Sequence, residues 1–141
     1  MVMENSLLPI VDLSQFPNSV VDVFIELPQT DAGTRCAAIS AAAMALAEAG
    51  IPMKDMISSI SVGQVGGLVC ADLTYKEEAY EDGPVSDIPV AMTHNTQEIT
   101  LLQMDGEISR DDLMKSLELA KEACNKVYQL QMQALKEKYS K

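Results

Sequence analysis

Gln29-Thr30-Asp31-Ala32-Gly33-Thr34-Arg35 joins an alternating apolar run, Val20 to Leu27, to an alanine-rich run that starts at Cys36. In the first run Val21, Val23, Ile25 and Leu27 share one face and Val20, Asp22, Phe24 and Glu26 the other, which is the period of a strand. In the second, only Ser40 and Glu48 are polar as far as Ala49, and Gly50-Ile51-Pro52 supplies a helix stop. The spacing predicts a strand, a glycine turn and a helix from about Thr34 to Ala49 that is apolar nearly all round and buried on more than one side. The start of such a helix leaves N–H groups unpaired and carries the positive end of the macrodipole. A glycine turn that places Arg35 there is a candidate anion site, since a guanidinium binds phosphate through two parallel hydrogen bonds. The plainer alternative is that Gly33 only permits the turn and Arg35 only solvates the helix end.

The chain of 141 residues fits one domain with its own core. Its net charge of -11 excludes strong nonspecific binding to nucleic acid, which depends on Lys and Arg neutralising phosphates. Any role on RNA or DNA must be local, or must borrow basic residues from another chain. Cys36, Cys70 and Cys124 show neither a zinc spacing nor a disulfide framework, and are expected to be buried free thiols in a reducing compartment. The longest apolar segment is too short to span a bilayer, so a cytoplasmic protein without a membrane partner is expected.

Before Val20, Ser6 to Leu13 is a short apolar segment broken by Pro9, and it is expected to be the tail of something that begins earlier. After Pro52, strands are expected at Met56–Val62, Leu68–Leu73, Ile88–Met92 and Glu98–Met104. Gly63-Gln64-Val65-Gly66-Gly67 reads as the first hairpin turn and Thr93-His94-Asn95-Thr96 as the last. Ser109 is an N-cap with Asp112 at N3, and Leu113, Leu117, Ala120, Cys124, Val127 and Leu130 mark the packed face of a helix reaching about Lys138. The fold class is therefore α+β: a strand and a buried helix, a mainly antiparallel four-stranded sheet, and a long C-terminal helix.

Between the second and third of these strands lies a carboxylate-rich loop, Thr74 to Pro84. Asp72, at a strand end, is the carboxylate best placed for acid chemistry or a hard cation. Glu77, Glu78, Glu81 and Asp82 read as a solvated surface. The single His94 has no nucleophile arranged with it, and no phosphate-binding P-loop motif is present.

Several stretches, taken in order, resemble one family. They are Asp31 to Arg35, Ala49-Gly50-Ile51-Pro52-Met53, Ile60 to Gly63 with Ala71-Asp72-Leu73, Asp87-Ile88-Pro89-Val90-Ala91, and Thr100 to Gly106. Together they resemble the RNase PH family, over roughly positions 18 to 139. The resemblance implies a phosphorolytic 3′ to 5′ exoribonuclease of the kind found in archaeal exosome cores, in which inorganic phosphate attacks an RNA 3′ end and releases nucleoside diphosphates. It implies that Gly33, Thr34 and Arg35 hold the phosphate and that Asp72 is catalytic, with Glu78 as a second carboxylate where the family usually has Asp. It implies that Asp72 and Glu78 could bind Mg²⁺. Residues 1–50 would be a remnant of the first RNase PH subdomain and residues 51–141 the second. The implied partners are a missing N-terminal half with its RNA-gripping arginines and a non-catalytic RNase PH-like subunit of a hexameric ring. The alternative is an inactive ring-forming scaffold or truncated subunit.

Overall fold

The structure, a computed structural model, describes residues 2–140. Its centre is a pair of antiparallel strands, β1 (Ile57–Val65) and β3 (Val85–Thr93), in register from Ile57 opposite Thr93 to Val65 opposite Val85. β2 (Leu68–Ala71) pairs with the outer side of β1, and β4 (Ile99–Leu102) and β5 (Asp105–Gly106) with the outer side of β3, giving the order β2-β1-β3-β4. The neighbours are all antiparallel. The expected sheet is present with longer central strands, and its last strand is split in two.

That split has a cause in Pro89. The Ser61 carbonyl turns away from β3 and accepts from the Asp72 N–H at 2.7 Å, so the Ser61–Pro89 pair asks no N–H of the proline. On its other side Pro89 has only a carbonyl to offer, which accepts from Gln103 N–H at 3.1 Å. The ladder breaks there between β4 and β5, as a ring nitrogen without a proton requires.

Each face of the sheet is covered by a helix. α2 (Thr34–Glu48) lies on one face, where Ile39, Ala42, Ala43 and Leu46 pack with Ile57 and Ala91. α1 (Val2–Leu7), followed by the 3-10 turn Leu8–Ile10, adds Leu7 and Ile10 to the same cluster. α4 (Arg110–Tyr139) covers the other face, setting Ala120 and Cys124 against Val62, Ile88, Val90 and Met92. α2 begins and ends as expected. Gly50, with φ 74°, is the left-handed residue after its end, and Gly50 N–H to Ala47 and Ile51 N–H to Leu46 satisfy the last carbonyls. It is apolar nearly all round, as expected, but Ala37, Ala41 and Ala45 form an exposed ridge on it. Small residues pay little for that exposure.

Four expectations are corrected. Val20–Leu27 forms no strand: Val20 and Phe24 are 83% and 90% exposed, while Val21, Val23, Ile25 and Leu27 lie between 37% and 41%. The alternation of faces survives. A strand also needs a neighbour to pair its backbone groups, and none runs beside it among the described residues. Second, the hairpin turn is only Gly66-Gly67; Gly63 lies inside β1, where a β-carbon would meet the Ser86 carbonyl oxygen at 1.8 Å.

Third, Leu130 is 66% exposed and Gln131 is buried in its place. The Gln131 amide donates to the Ser40 and Ile57 carbonyls and its oxygen accepts from the Ser58 hydroxyl. Beyond Cys124, therefore, α4 packs against polar backbone at the end of β1 and helix α2, and a buried amide that satisfies three groups outcompetes a leucine there. Last, Cys36 and Cys124 are buried but Cys70 is only half-buried. Burial pushes the Cys124 thiol up to about 12, so it stays a thiol. No helix among the described residues is long and apolar enough to cross a membrane.

The close approach at Gly63 makes a direct prediction. Gly63→Ala should destabilise the protein by about 3 kcal/mol through overpacking against a backbone that cannot yield. Gly50→Ala, which has open space and only an unfavourable φ, should cost about 1 kcal/mol. Urea unfolding of the two variants checks the order.

Candidate active site

The turn before α2 places two left-handed residues in succession, Ala32 at φ 59° and Gly33 at φ 56°. The second is free of strain as glycine, but the first is not, and such strain is concentrated at functional sites. Gly33 is the N-cap residue and has no side chain to close the helix end. Its carbonyl accepts from Cys36 and Ala37, while no side chain caps the helix, so the Thr34 and Arg35 N–H groups open outward with the positive end of the dipole.

Asp72 faces this turn. It stands one residue past β2, its N–H still held by Ser61 and its backbone left-handed at φ 62°, a conformation aspartate tolerates better than most residues. A β-carbon placed on Gly33 would lie 3.9 Å from Asp72 Oδ1. The strand end and the glycine turn, 39 positions apart in sequence, thus meet at the α2 N-terminus at van der Waals distance.

The expected acidic loop is partly helical. Thr74 caps a short helix, α3 (Tyr75–Glu78), and Glu77 closes the capping box by accepting from the Thr74 N–H and hydroxyl, both at 2.8 Å. Those bonds hold the Glu77 carboxyl below its ordinary range. Asp31 ties α3 to the glycine turn by accepting from Tyr75 N–H at 3.0 Å. Glu77 is therefore occupied with structure, and Glu78 is the one turned inward.

Glu78 lines a cleft of about 390 Å³ with Arg35, Asp87 and Asp105. Burial, reinforced by Asp87, pushes the Glu78 carboxyl above its usual range; Arg35 works the other way, and Asp105 and Asp31 add to the rise. Arg35 itself is held from two sides. Its Nη1 donates to Gln103 Oε1 at 2.6 Å, and its Nη2 lies 3.9 Å from Asp87 Oδ2. The Ser61 hydroxyl donates to the other Asp87 oxygen. Sequence reasoning singled out Arg35, Asp72 and Glu78 but missed Asp31, Asp87 and Gln103 as members of the site. The only signal for the last two was their place within motif-like stretches, since nothing local to either residue points at an arginine on another element.

Asp72 is not among the residues lining the Arg35–Glu78 cleft, and among the described residues no group of three or more His, Cys, Asp or Glu is arranged to hold a metal ion. The donors on offer are hard oxygens, which suit Mg²⁺. Two carboxylates can serve Mg²⁺ when water or phosphate completes its shell. His94 lies far from this chemistry, stacked on Tyr128 of α4 with ring centroids 3.4 Å apart.

With a strained turn at an uncapped helix start, an opposed carboxylate and a sheet covered by helices on both faces, comparison with known proteins defines the class. The profile of domain 1 of the 3′ exoribonuclease family matches residues 1–52, and that of domain 2 residues 55–123. The chain belongs to this family, the RNase PH family. It is 45% identical over 140 residues to the exosome complex component Rrp41 of Thermococcus kodakarensis, covering 99% of this chain and 55% of that protein. It is 43% identical over 138 residues to the component of the same name in Nitrosopumilus maritimus, covering 98% and 55% respectively. The chain thus spans about half the length of the curated relatives it matches. The crystal structure of rice Rrp46 superimposes with a TM-score of 0.80 over 96% of this chain and 63% of that one, at 23% identity, a likeness of fold.

The Glu78 environment gives a pH test. Its folded pKa is raised, so the folded state binds the proton more tightly than the unfolded state, and stability falls as pH rises from about 4.3, the ordinary glutamate value, through the folded pKa. Glu78→Gln should therefore raise the melting temperature at pH 7 and leave it unchanged at pH 4. The gain should be modest, because the cleft is open to solvent and screening is strong. Thermal melts at the two pH values check the sign.

Proposed function

We propose that this chain is the second half of a phosphorolytic 3′ to 5′ exoribonuclease subunit of an archaeal exosome core. Residues 1–50 bring the phosphate turn from the first subdomain and residues 51–141 form the second. The observation that carries this reading is the Asp72 carboxylate aimed at the Gly33 turn beside Arg35, an anion site and an acid within reach of one another. The chain's membership of the exoribonuclease family supports it, as does its similarity to exosome components.

In this reading inorganic phosphate is the co-substrate. It sits at the Gly33-Thr34-Arg35 turn, held by outward N–H groups and the Arg35 fork. One of its oxygens attacks the phosphorus of the last phosphodiester of an RNA 3′ end. The bond to the penultimate 3′ oxygen breaks, and that oxygen takes a proton from the Asp72 carboxyl. The products are a nucleoside diphosphate and an RNA one nucleotide shorter with a free 3′ hydroxyl. Preorganised donors around the phosphate stabilise charge without rearranging during the reaction. The alternative role of Asp72 is as an ionised ligand rather than an acid: it and Glu78 would then hold Mg²⁺, which would neutralise charge on the phosphates.

The same reading calls for partners. A chain of net charge -11 with two arginines cannot grip RNA by itself, so basic residues must come from elsewhere in a ring assembly. The ribbon Val20–Leu27 leaves an alternating apolar edge open, and beside it a groove of about 480 Å³ runs along α1 and Leu46. Such an edge suits added strands from the polypeptide that corresponds to the rest of the relatives' length. A non-catalytic RNase PH-like subunit would complete the ring, in the cytoplasm. The second reading, an inactive scaffold, draws on Glu78 standing where the family usually has Asp.

Two experiments test the proposal. In the completed complex Asp72→Asn should slow nucleoside diphosphate release by about 10² to 10⁴, the range of a general acid, while Glu81→Gln changes little. Equal losses in both, or none in Asp72→Asn, would return the acidic cluster to a solvated surface, and an unmutated complex that releases no nucleoside diphosphate would favour the scaffold. Separately, size-exclusion chromatography with light scattering should give a defined assembly and salt-sensitive RNA binding only when the complementary half and the ring subunit are added. A lone monomer that degrades RNA with phosphate would refute the need for partners.

A further inference from the structure

The Arg35 side chain is half exposed and comes from the first turn of a helix, where nothing on its own element fixes it. Left alone, so long a side chain samples many rotamers and meets an anion only after losing that freedom. Here it is held by two groups that reach it from the sheet. Gln103 offers a neutral acceptor at 2.6 Å, and Asp87 a charged one at the longer distance of 3.9 Å. The difference in chemistry matters. A carboxylate in close contact would neutralise the guanidinium and compete with phosphate for both of its donors, whereas an amide oxygen fixes one nitrogen and leaves the charge intact.

Gln103 is itself fixed by the break in the sheet. It sits opposite Pro89, between β4 and β5, with its N–H on the Pro89 carbonyl at 3.1 Å. Asp87 lies two residues before Pro89 on the same face of β3, and its second oxygen is taken up by the Ser61 hydroxyl of β1. With Oε1 committed to Arg35, the Gln103 amide nitrogen donates to no protein group among the described residues. We infer that Gln103 is a positioning residue: it holds the Arg35 guanidinium over the cleft, supported by Asp87 and Ser61, so that the fork meets phosphate already aimed. The inference rests on reading the Arg35 turn as a phosphate site and adds the residue on which that site's precision depends.

The test is steady-state phosphorolysis by the assembled complex, with phosphate and RNA varied independently. Gln103→Leu should raise the phosphate KM about 10-fold, the loss expected of one hydrogen bond to a charged group. The kcat at saturating phosphate and the RNA KM should stay within about 2-fold. Gln103→Asn keeps the amide but is one methylene too short to reach Arg35, and should raise the phosphate KM about 3-fold. It also serves if the leucine variant does not assemble. Arg35→Ala, measured beside them, separates the two levels of the argument. If it keeps wild-type phosphate dependence, the phosphate site itself is wrong. If it loses phosphate dependence while both Gln103 variants keep the wild-type phosphate KM, or lose kcat and RNA affinity instead, the site stands and the positioning role is overturned.

Discussion

The antiparallel ladder between β1 and β3 is the constraint on which the rest of the structure depends. Its register sets which residues point to each side: Ser59, Ser61, Gly63, Asp87, Pro89 and Ala91 toward α2, and Ile60, Val62, Ile88, Val90 and Met92 toward α4. A slip of one residue would exchange the two sets and put Asp87 into the apolar layer under α4. Gly63 guards the register, because only a residue without a β-carbon lets the Ser86 backbone come so close. One sheet thus carries an apolar core on one face and, at one end of the other, the polar groups that receive Arg35.

The site itself is assembled from backbone strain and from polar groups that arrive from separate elements. Ala32, Gly33 and Asp72 are all left-handed, and two of the three are not glycine. Their conformations are held by Asp31 on Tyr75, by Ser61 on Asp72 and by the α2 helix that follows. Around Arg35 stand the carboxylates Glu78, Asp87 and Asp105; burial first, and then the charge of Asp87, make Glu78 favour its proton, while a neutral amide makes the closest contact with the guanidinium. Arg35 is the one cation among the residues lining this cleft.

The exposed ribbon at Val20–Leu27 shows how far periodicity alone can be taken. Its alternation is real, since Val21, Val23, Ile25 and Leu27 are more sheltered than Val20 and Phe24. Alternation states which side chains share a face. It does not supply the neighbouring N–H and C=O groups without which an extended segment is not a strand.

The sequence by itself determined what is local. The glycine turn, both ends of α2, the Ser109 cap of α4 and the order of the hairpins follow from φ requirements, capping chemistry and spacings within a few residues, while the family-like stretches singled out Arg35 and Asp72. What only the tertiary structure decided depends on which chain segments meet in space. It chose Glu78 over Glu77 by spending Glu77 on a capping box, and Gln131 over Leu130 because polar backbone, not sheet, faces α4 there. It brought Gln103 and Asp87 to Arg35 across separations of 68 and 52 positions. Such contacts are fixed by strand register and by the break at Pro89, and neither can be read from the chemistry of the residues on either side.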